Sequence, residues 1–288
     1  MTNAIEIKNL CKYYHGFVLD NLNLTLPSGC ILGLIGENGA GKSTIIKLIL
    51  DIIKSDSGSI TVLGKSNQDS FELTKEDIGV VLDEVGFNDC LNANQIGKIM
   101  SFTYKNWDSN CFEALLKRLA VPTDKKFSTL SNGMKMKLGI AAAMSHNARL
   151  LILDEATNGL DPVVRDEITD LFLEFTRDEN HSILISSHIV SDLEKICDYI
   201  AFLHNGRLLL CEEKDRLKYD YALISCTNEQ LSELNQNAII GKSSTKYGAS
   251  AVVKRDEIPQ GFDISPVTIE ELFVYMVREG MPDSTEVN

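Results

Sequence analysis

Gly36-Glu37-Asn38-Gly39-Ala40-Gly41-Lys42-Ser43-Thr44 poses the first chemical question of this chain. The run fits G-x-x-x-x-G-K-[ST]. It follows the apolar stretch CILGLI and opens a helical pattern from Lys42 to about Ile52. That strand–loop–helix context is the one a phosphate-binding P-loop needs. The glycines let the backbone curl so that its N–H groups converge on phosphate oxygens. The helix N-terminus adds the positive end of its dipole. In such a loop Lys42 reaches the β- and γ-phosphates, Ser43 ligates Mg²⁺, and Thr44 offers a hydroxyl to the α-phosphate.

Two carboxylates follow a buried-strand pattern in LLILDEA, residues 150–156. A strand of this kind delivers Asp154 to the C-terminal edge of a sheet, where ligands bind. There Asp154 can hold the Mg²⁺ shell, and Glu155 can orient or deprotonate an attacking water. His188 closes another apolar strand, SILISS. A neutral imidazole there can bond a γ-phosphate or support Glu155, or it can be a plain structural residue. Ser131-Asn132-Gly133 precedes a further apolar-periodic run, about 90 residues beyond the first loop. This is a second anion-ready helix start, although Ser131 would also serve as an ordinary N-cap. One chain thus carries two phosphate-facing helix starts.

The elements that must position these residues are legible as periodicities. IEIKN (5–9) and NLNLTL (21–26) alternate as half-buried strands do. SITVL (59–63), IGVVL (78–82), LLIL (150–153) and SILIS (182–186) read as further strands. FLHNGRLLL (202–210) reads as a hairpin with Asn205-Gly206 in a type I′ turn. From Glu84 to His146 the pattern is helical. Buried strands alternating with helices predict a parallel α/β sheet with an inserted helical block. Beyond Glu213 the character changes. DYALISC and ASAVVKR read as short strands, VTIEELFVYMVREG (267–280) as an amphipathic helix, and TNEQLSELNQNA as polar with no catalytic constellation. The tail MPDSTEVN is expected to fray.

Composition bounds the function. The chain has 288 residues, 44% of them hydrophobic, enough for a large domain and a small one. A net charge of −13 argues against a nucleic-acid partner, which needs a basic face. No apolar run reaches membrane-spanning length, and the N-terminus has no secretory pattern. Seven scattered cysteines without metal spacing read as reduced thiols of a cytosolic protein.

Taken in order, the P-loop, LSNG-x-K, LLILDEATNGLD and the strand ending in SSH closely resemble the ATP-binding subunit of ABC transporters, over about residues 4–213. The resemblance implies an α/β fold: a P-loop NTPase core of ABC ATPase type over 1–213, with a helical subdomain over about 84–148. Residues 214–288 are then a small α+β C-terminal module. It implies ATP and Mg²⁺ as ligands and a head-to-tail pair of nucleotide domains, in which one ATP lies between the P-loop of one chain and the signature helix of the other. Two helix starts would then serve two different ATP molecules. Leu130, Ser131, Asn132, Gly133 and Met134 match the Leu-Ser-Gly-Gly-Gln signature, so Ser131 and the Gly133 N–H are expected at the partner's γ-phosphate. Tyr14 is expected to stack on adenine, with Tyr13 the alternative. Asn158 to Asp161 match the D-loop, which touches the partner subunit, and His188 matches the switch histidine.

Two departures carry consequences. Asp83 stands where the family usually has glutamine at the end of IGVVLD. A shorter carboxylate can still contact Mg²⁺, but it adds negative charge near phosphates. Asn132 and Met134 make the signature less glycine-rich, and Asn tolerates unusual backbone angles. The single nucleotide domain with its short C-terminal module resembles the ABC-2 exporter group. The expectation is a cytoplasmic chain, peripheral on the inner face of the membrane. It would drive transmembrane permease subunits and pair with a second nucleotide-binding subunit, as homodimer or heterodimer, to export peptides or antimicrobial compounds. Most apolar residues of NANQIGKIMSFTYKNW are expected to pack the subdomain's own core, an exposed subset docking the permease and Trp107 a candidate anchor. The rival expectation is a soluble ABC ATPase acting in translation or as a regulatory module.

Overall fold

The alternating N-terminal segments form β1 (Asn3–Tyr14) and β2 (Phe17–Pro27), an antiparallel pair in which Tyr14 faces Phe17 and Tyr13 faces Val18. This is a computed structural model, and it describes residues 2–68, 75–245 and 248–279. The apolar run becomes β3 (Ile31–Gly36), buried at every position, and the P-loop leads into α1 (Lys42–Ile49). β4 (Ser57–Val62) pairs antiparallel with β1 and, through β5 (Lys65–Ser66), completes a four-stranded sheet in the order β2-β1-β4-β5. These N-terminal strands therefore do not join the parallel sheet that the strand–helix alternation predicts; they form a sheet of their own.

The parallel sheet is built from the remaining runs. β6 (Ile78–Val81) is followed by the helical block of α2 (Ala93–Thr103), α3 (Ser109–Arg118) and α4 (Asn132–Met144). Then come β7 (Leu150–Asp154), α5 (Pro162–Phe175), β8 (Ser182–Ser187), α6 (Val190–Ile196) and the hairpin of β9 (Tyr199–His204) and β10 (Arg207–Glu213). The strand order is β10-β9-β3-β8-β7-β6, and every pair from β9 to β6 is parallel. The hairpin turn has Asn205 at φ 47° and Gly206 at φ 74°, the two positive angles a type I′ turn demands.

Helix starts in this unit use local chemistry. Asn92 and Gln95 form a capping box on α2, and Asp108 caps α3. One core cluster joins Ile5, Leu24 and Leu26 of the antiparallel sheet, Ile45, Ile46 and Ile49 of α1, and Leu32, Leu34 and Ile152 of the parallel sheet. The three α1 isoleucines are fully buried. Each contributes roughly 1.5–3 kcal/mol, which pins the helix behind the P-loop.

The chain divides between Cys211 and Glu212 into two units. The second contains α7 (Lys214–Asp220), β11 (Tyr221–Cys226), α8 (Asn228–Glu233), β12 (Ile239–Thr245), β13 (Gly248–Lys254), β14 (Asp263–Pro266) and α9 (Ile269–Glu279). Its sheet runs β12-β13-β11-β14, all antiparallel, with α9 packed on β12 and β13. The polar stretch TNEQLSELNQNA forms α8 behind a Thr227–Gln230 capping box. Strands β12 and β14 have no strong alternation to announce them. The tail MPDSTEVN lies outside the described residues. Among the described residues, no helix is long and apolar enough to cross a membrane.

Candidate functional site

The C-terminal ends of β3, β7 and β8 converge on one cavity of about 460 Å³. Gly39, Gly41, Lys42, Ser43 and Thr44 line it, with Asn38 and Glu37 from the same loop. Asp83, Glu155, Asn158, His188 and Phe17 complete the lining. Gly36 and Ala40 belong to the loop but not to the lining: Gly36 offers its carbonyl to Lys42, and Ala40 is buried. Gly41 sits at φ 113°, and a Cβ there would come within 2.7 Å of the Phe17 ring. Only glycine fits this turn beneath that aromatic.

The charges are arranged in a chain. Lys42 is 6% exposed. Its Nζ donates to the carbonyls of Gly36 at 2.7 Å and Glu37 at 3.3 Å, and lies 3.1 Å from Oε1 of Glu155. The other oxygen of Glu155 accepts from Nδ1 of His188 at 2.8 Å. A carboxylate only accepts, so Nδ1 carries the proton. The neutral ring then presents a lone pair at Nε2; to donate to a phosphate oxygen it must be imidazolium. Glu155 itself sits at φ 52°, unusual for a side chain with a Cβ. Its N–H is held by both the carbonyl and the hydroxyl of Ser186, each at 3.1 Å. Ser186 also donates its hydroxyl to Asp154, which is 3% exposed. Strand β8 thus holds the Asp154 carboxylate and the Glu155 backbone from behind. The Asp83 carboxyl is pushed above its usual range by partial desolvation, then by the charges of Asp154 and Glu155.

A second layer ties the loop after β7 to the helix after His188. Asp192, 5% exposed, accepts from the Thr157 hydroxyl at 3.2 Å and lies 3.4 Å from Nε of Arg165. Arg165 in turn donates to the Leu160 carbonyl at 3.2 Å. Asp161 caps α5 by accepting from the Val164 N–H at 3.1 Å, with Pro162 in the first turn.

The predicted residues fall into two groups. The P-loop, Asp83, Glu155 and His188 meet at the cavity, with Asp154 just behind. Tyr14, Ser131, Asn132, Gly133 and Asp161 do not line it. Tyr14 is 44% exposed, with the Lys12 ammonium 5.5 Å from its ring centroid; Tyr13 is 58% exposed. The aromatic at the cavity is Phe17, which the sequence reading passes over. Its only signal is its place two residues before the core residue Leu19 on the same strand face. Ser131 caps α4 by accepting from the Met134 N–H at 3.3 Å, and Ser131 and Asn132 are exposed. A Cβ on Gly133 would lie 3.3 Å from Leu160, so the signature start abuts the D-loop of its own chain. Ser186, Thr157, Arg165 and Asp192 were also missed; the serines closing an otherwise apolar β8 are the one hint.

Parallel-sheet topology, a P-loop, and an acid pair at the strand edge opposite its lysine define a nucleoside triphosphatase of the P-loop class. Comparison with known proteins sharpens this. A family model described as ABC transporter matches residues 19–158. The bacitracin transport ATP-binding protein BcrA of Bacillus licheniformis is 36% identical, over 97% of this chain and 99% of its own. The lantibiotic transport ATP-binding protein SrtF of Streptococcus pyogenes is 35% identical, over 82% of this chain and 97% of its own. A solved structure of an ATP-binding subunit of an ABC transporter superposes with TM-score 0.68 at 26% identity, covering 75% of this chain and 92% of that one. The chain belongs to the ABC transporter ATP-binding family: it is an ATP-binding, ATP-hydrolysing subunit of such a transporter.

Proposed function

We propose that this chain powers a membrane exporter of peptides or antimicrobial compounds, paired with a second nucleotide-binding subunit and with transmembrane permease subunits. The cargo class is drawn from relatives named for bacitracin and lantibiotic transport. The observation that carries the pairing is the separation of the two helix starts. The P-loop cavity contains no signature residue, while Ser131 and Asn132 stand exposed on α4. A second chain turned head to tail would bring its own LSNG start to this cavity, and both starts would face phosphate. Because the described residues include no membrane-crossing helix, the permease would hold the chain peripherally on the inner face.

Mg²⁺ fits the donor set. Among the described residues no group of three or more Asp, Glu, His or Cys side chains is placed to hold a metal ion unaided. Mg²⁺ ordinarily takes one or two carboxylates plus substrate phosphates. Ser43 and Asp154 would hold it, with Asp83 alongside, and it would neutralise phosphate charge during transfer. ATP would draw Lys42 from Glu155 onto its β- and γ-phosphates. Glu155, freed from that ion pair and still held by His188, would orient and deprotonate the attacking water. Closure of two such chains around nucleotide would set the transporter's state, and hydrolysis would reset it.

The test is the solution mass of Glu155→Gln with and without Mg-ATP, measured by light scattering. Conversion from monomer to dimer by ATP supports the reading. A variant that binds ATP yet stays monomeric removes self-pairing and points to a different nucleotide-binding chain as partner.

A further inference from the structure

The nucleotide cavity holds more negative charge than its one lysine can answer. Glu37, Asp83 and Glu155 line it together with Lys42. Glu155 is tied to Lys42 and His188, and Asp83 would stand alongside Mg²⁺. Glu37, the second residue of the P-loop, is left over. Its backbone belongs to the phosphate cradle, since its carbonyl accepts from Lys42 Nζ at 3.3 Å. An unrestrained carboxylate at this point would repel an incoming triphosphate. Among the described residues, the Glu37 carboxylate has one ion-pair partner, His204.

His204 closes β9, directly after Leu203, which pairs with Gly36 of the P-loop strand. It is 7% exposed. Nδ2 of Asn205 lies 2.8 Å from its Nε2. An amide nitrogen only donates, so Nε2 accepts and Nδ1 carries the proton. Nδ1 is buried and makes no hydrogen bond of full geometry, and Oε2 of Glu37 lies 3.4 Å from it. A buried N–H left short of a bond is costly, so it favours keeping that acceptor close. The turn that carries the ring is itself fixed to the loop. The Gly206 N–H donates to the Ala40 carbonyl at 3.0 Å, and the Gly206 carbonyl accepts from the Asp20 N–H at 3.0 Å. The other charges of the turn, Arg207 and Asp20, are paired with each other at 3.2 Å. The hairpin thus grips the P-loop twice: at Ala40 through backbone, and at Glu37 through the His204 side chain.

We infer that His204 is a positioning residue for nucleotide binding, whose Nδ1–H holds the Glu37 carboxylate against the β9–β10 hairpin and away from the phosphates. It acts through Glu37 rather than by touching the nucleotide. The inference depends on ATP binding and not on what the transporter carries.

The test is the Mg-ATP affinity of the full chain, measured by fluorescence titration at low ionic strength. His204→Leu removes the donor and is expected to weaken binding about fivefold, the worth of a unit charge about 4 Å from another in water. His204→Asn, whose amide nitrogen can stand in for Nδ1, is expected to bind as wild type does. Adding Glu37→Gln to His204→Leu is expected to restore the lost affinity, because the repelling charge is gone. The difference between His204→Leu and wild type is expected to vanish at about 1 M salt, where the screening length is about 3 Å. Unchanged affinity in His204→Leu overturns the inference, as does an equal loss in His204→Asn. A loss that survives in the double variant or at high salt also overturns it, and leaves His204 a residue of the fold only. Should His204→Leu fold poorly, ¹⁵N-labelled histidine decides: Glu37→Gln is expected to shift the His204 Nδ1 resonance, and an unmoved resonance overturns the inference.

Discussion

At the scale of single residues, the site is a contest for Lys42. Its ammonium is shared by two carbonyls and Glu155, all within 3.3 Å. A phosphate group must outcompete them, which makes nucleotide binding and release of Glu155 one event. Asp83 complicates that event. Its carboxyl sits with Asp154 and Glu155 and is pushed up by partial desolvation and by them. When ionised it repels an incoming triphosphate that lacks a cation. A unit charge about 4 Å from another in water is worth about 1 kcal/mol, or about fivefold in affinity. Asp83→Gln is therefore expected to bind ATP about fivefold more tightly in EDTA and to gain less from added Mg²⁺. Fluorescence titration with and without Mg²⁺ checks this, and an unchanged ratio would sink the idea. The identity of this position was legible in the sequence; its carboxylate neighbours were legible only as separate motifs.

At the scale of elements, the geometry depends on what stands behind the strand ends. Asp192 joins Thr157, two residues past Glu155, to α6, which begins just after His188. Asp192→Asn keeps the shape and strips the charge facing Arg165. The expected cost is about 1–3 kcal/mol of stability. Turnover should fall by more than ATP affinity, because the Glu155–His188 contact is set by these two segments. Thermal denaturation and steady-state kinetics together check it; an equal loss in affinity and turnover would leave Asp192 a structural residue only.

The helical block carries its own signature in His146. Its folded pKa is lowered by burial below the ordinary value of 6.5. Between the folded and the unfolded pKa the unfolded chain binds more protons. Stability is therefore full above pH 6.5 and declines as pH falls through and below it, at a slope of at most about 1.4 kcal/mol per pH unit. His146→Gln should flatten that slope in urea titrations carried out below pH 6.5; an identical slope would assign the acid sensitivity elsewhere. The fate of the 93–107 stretch follows from packing. Ile96 is buried in the block, whereas Ile99 and Phe102 stand 46% and 82% exposed. Trp107 is half-buried and packs against Phe112 with centroids 5.0 Å apart.

At the scale of the whole molecule, the nucleotide cavity draws all its lining from the first unit. The second unit has its own small core, with Ile224, Ala251 and Val253 at its centre. A chain ending at residue 213 keeps β10 whole. It is expected to bind ATP within about threefold of the full-length protein, as a domain with its own core does. Nucleotide titration of the truncated chain checks this, and loss of binding would make the second unit part of the nucleotide site.

The sequence by itself determined the P-loop, the acid pair, the SSH strand end and the Asn205-Gly206 hairpin. Each is a contiguous run whose chemistry and backbone preference are local. It also determined that strands such as CILGLI and LLILD are buried, because an apolar run has nowhere else to go. The tertiary structure alone decided which strands pair. Alternation in IEIKN and NLNLTL marks a half-buried strand but holds no record of its partner, so the separate antiparallel sheet was not legible. The same limit hid Phe17 in the cavity lining, Ser186 behind the Asp154 carboxylate and the Glu155 N–H, and the Asp192–Arg165–Leu160 brace. His146 is the sharpest case, since a histidine becomes a buried acceptor only when Glu76, 70 residues away in sequence, takes its other nitrogen. Contacts between distant segments are created by packing, and packing is a property of the folded chain rather than of any window along it.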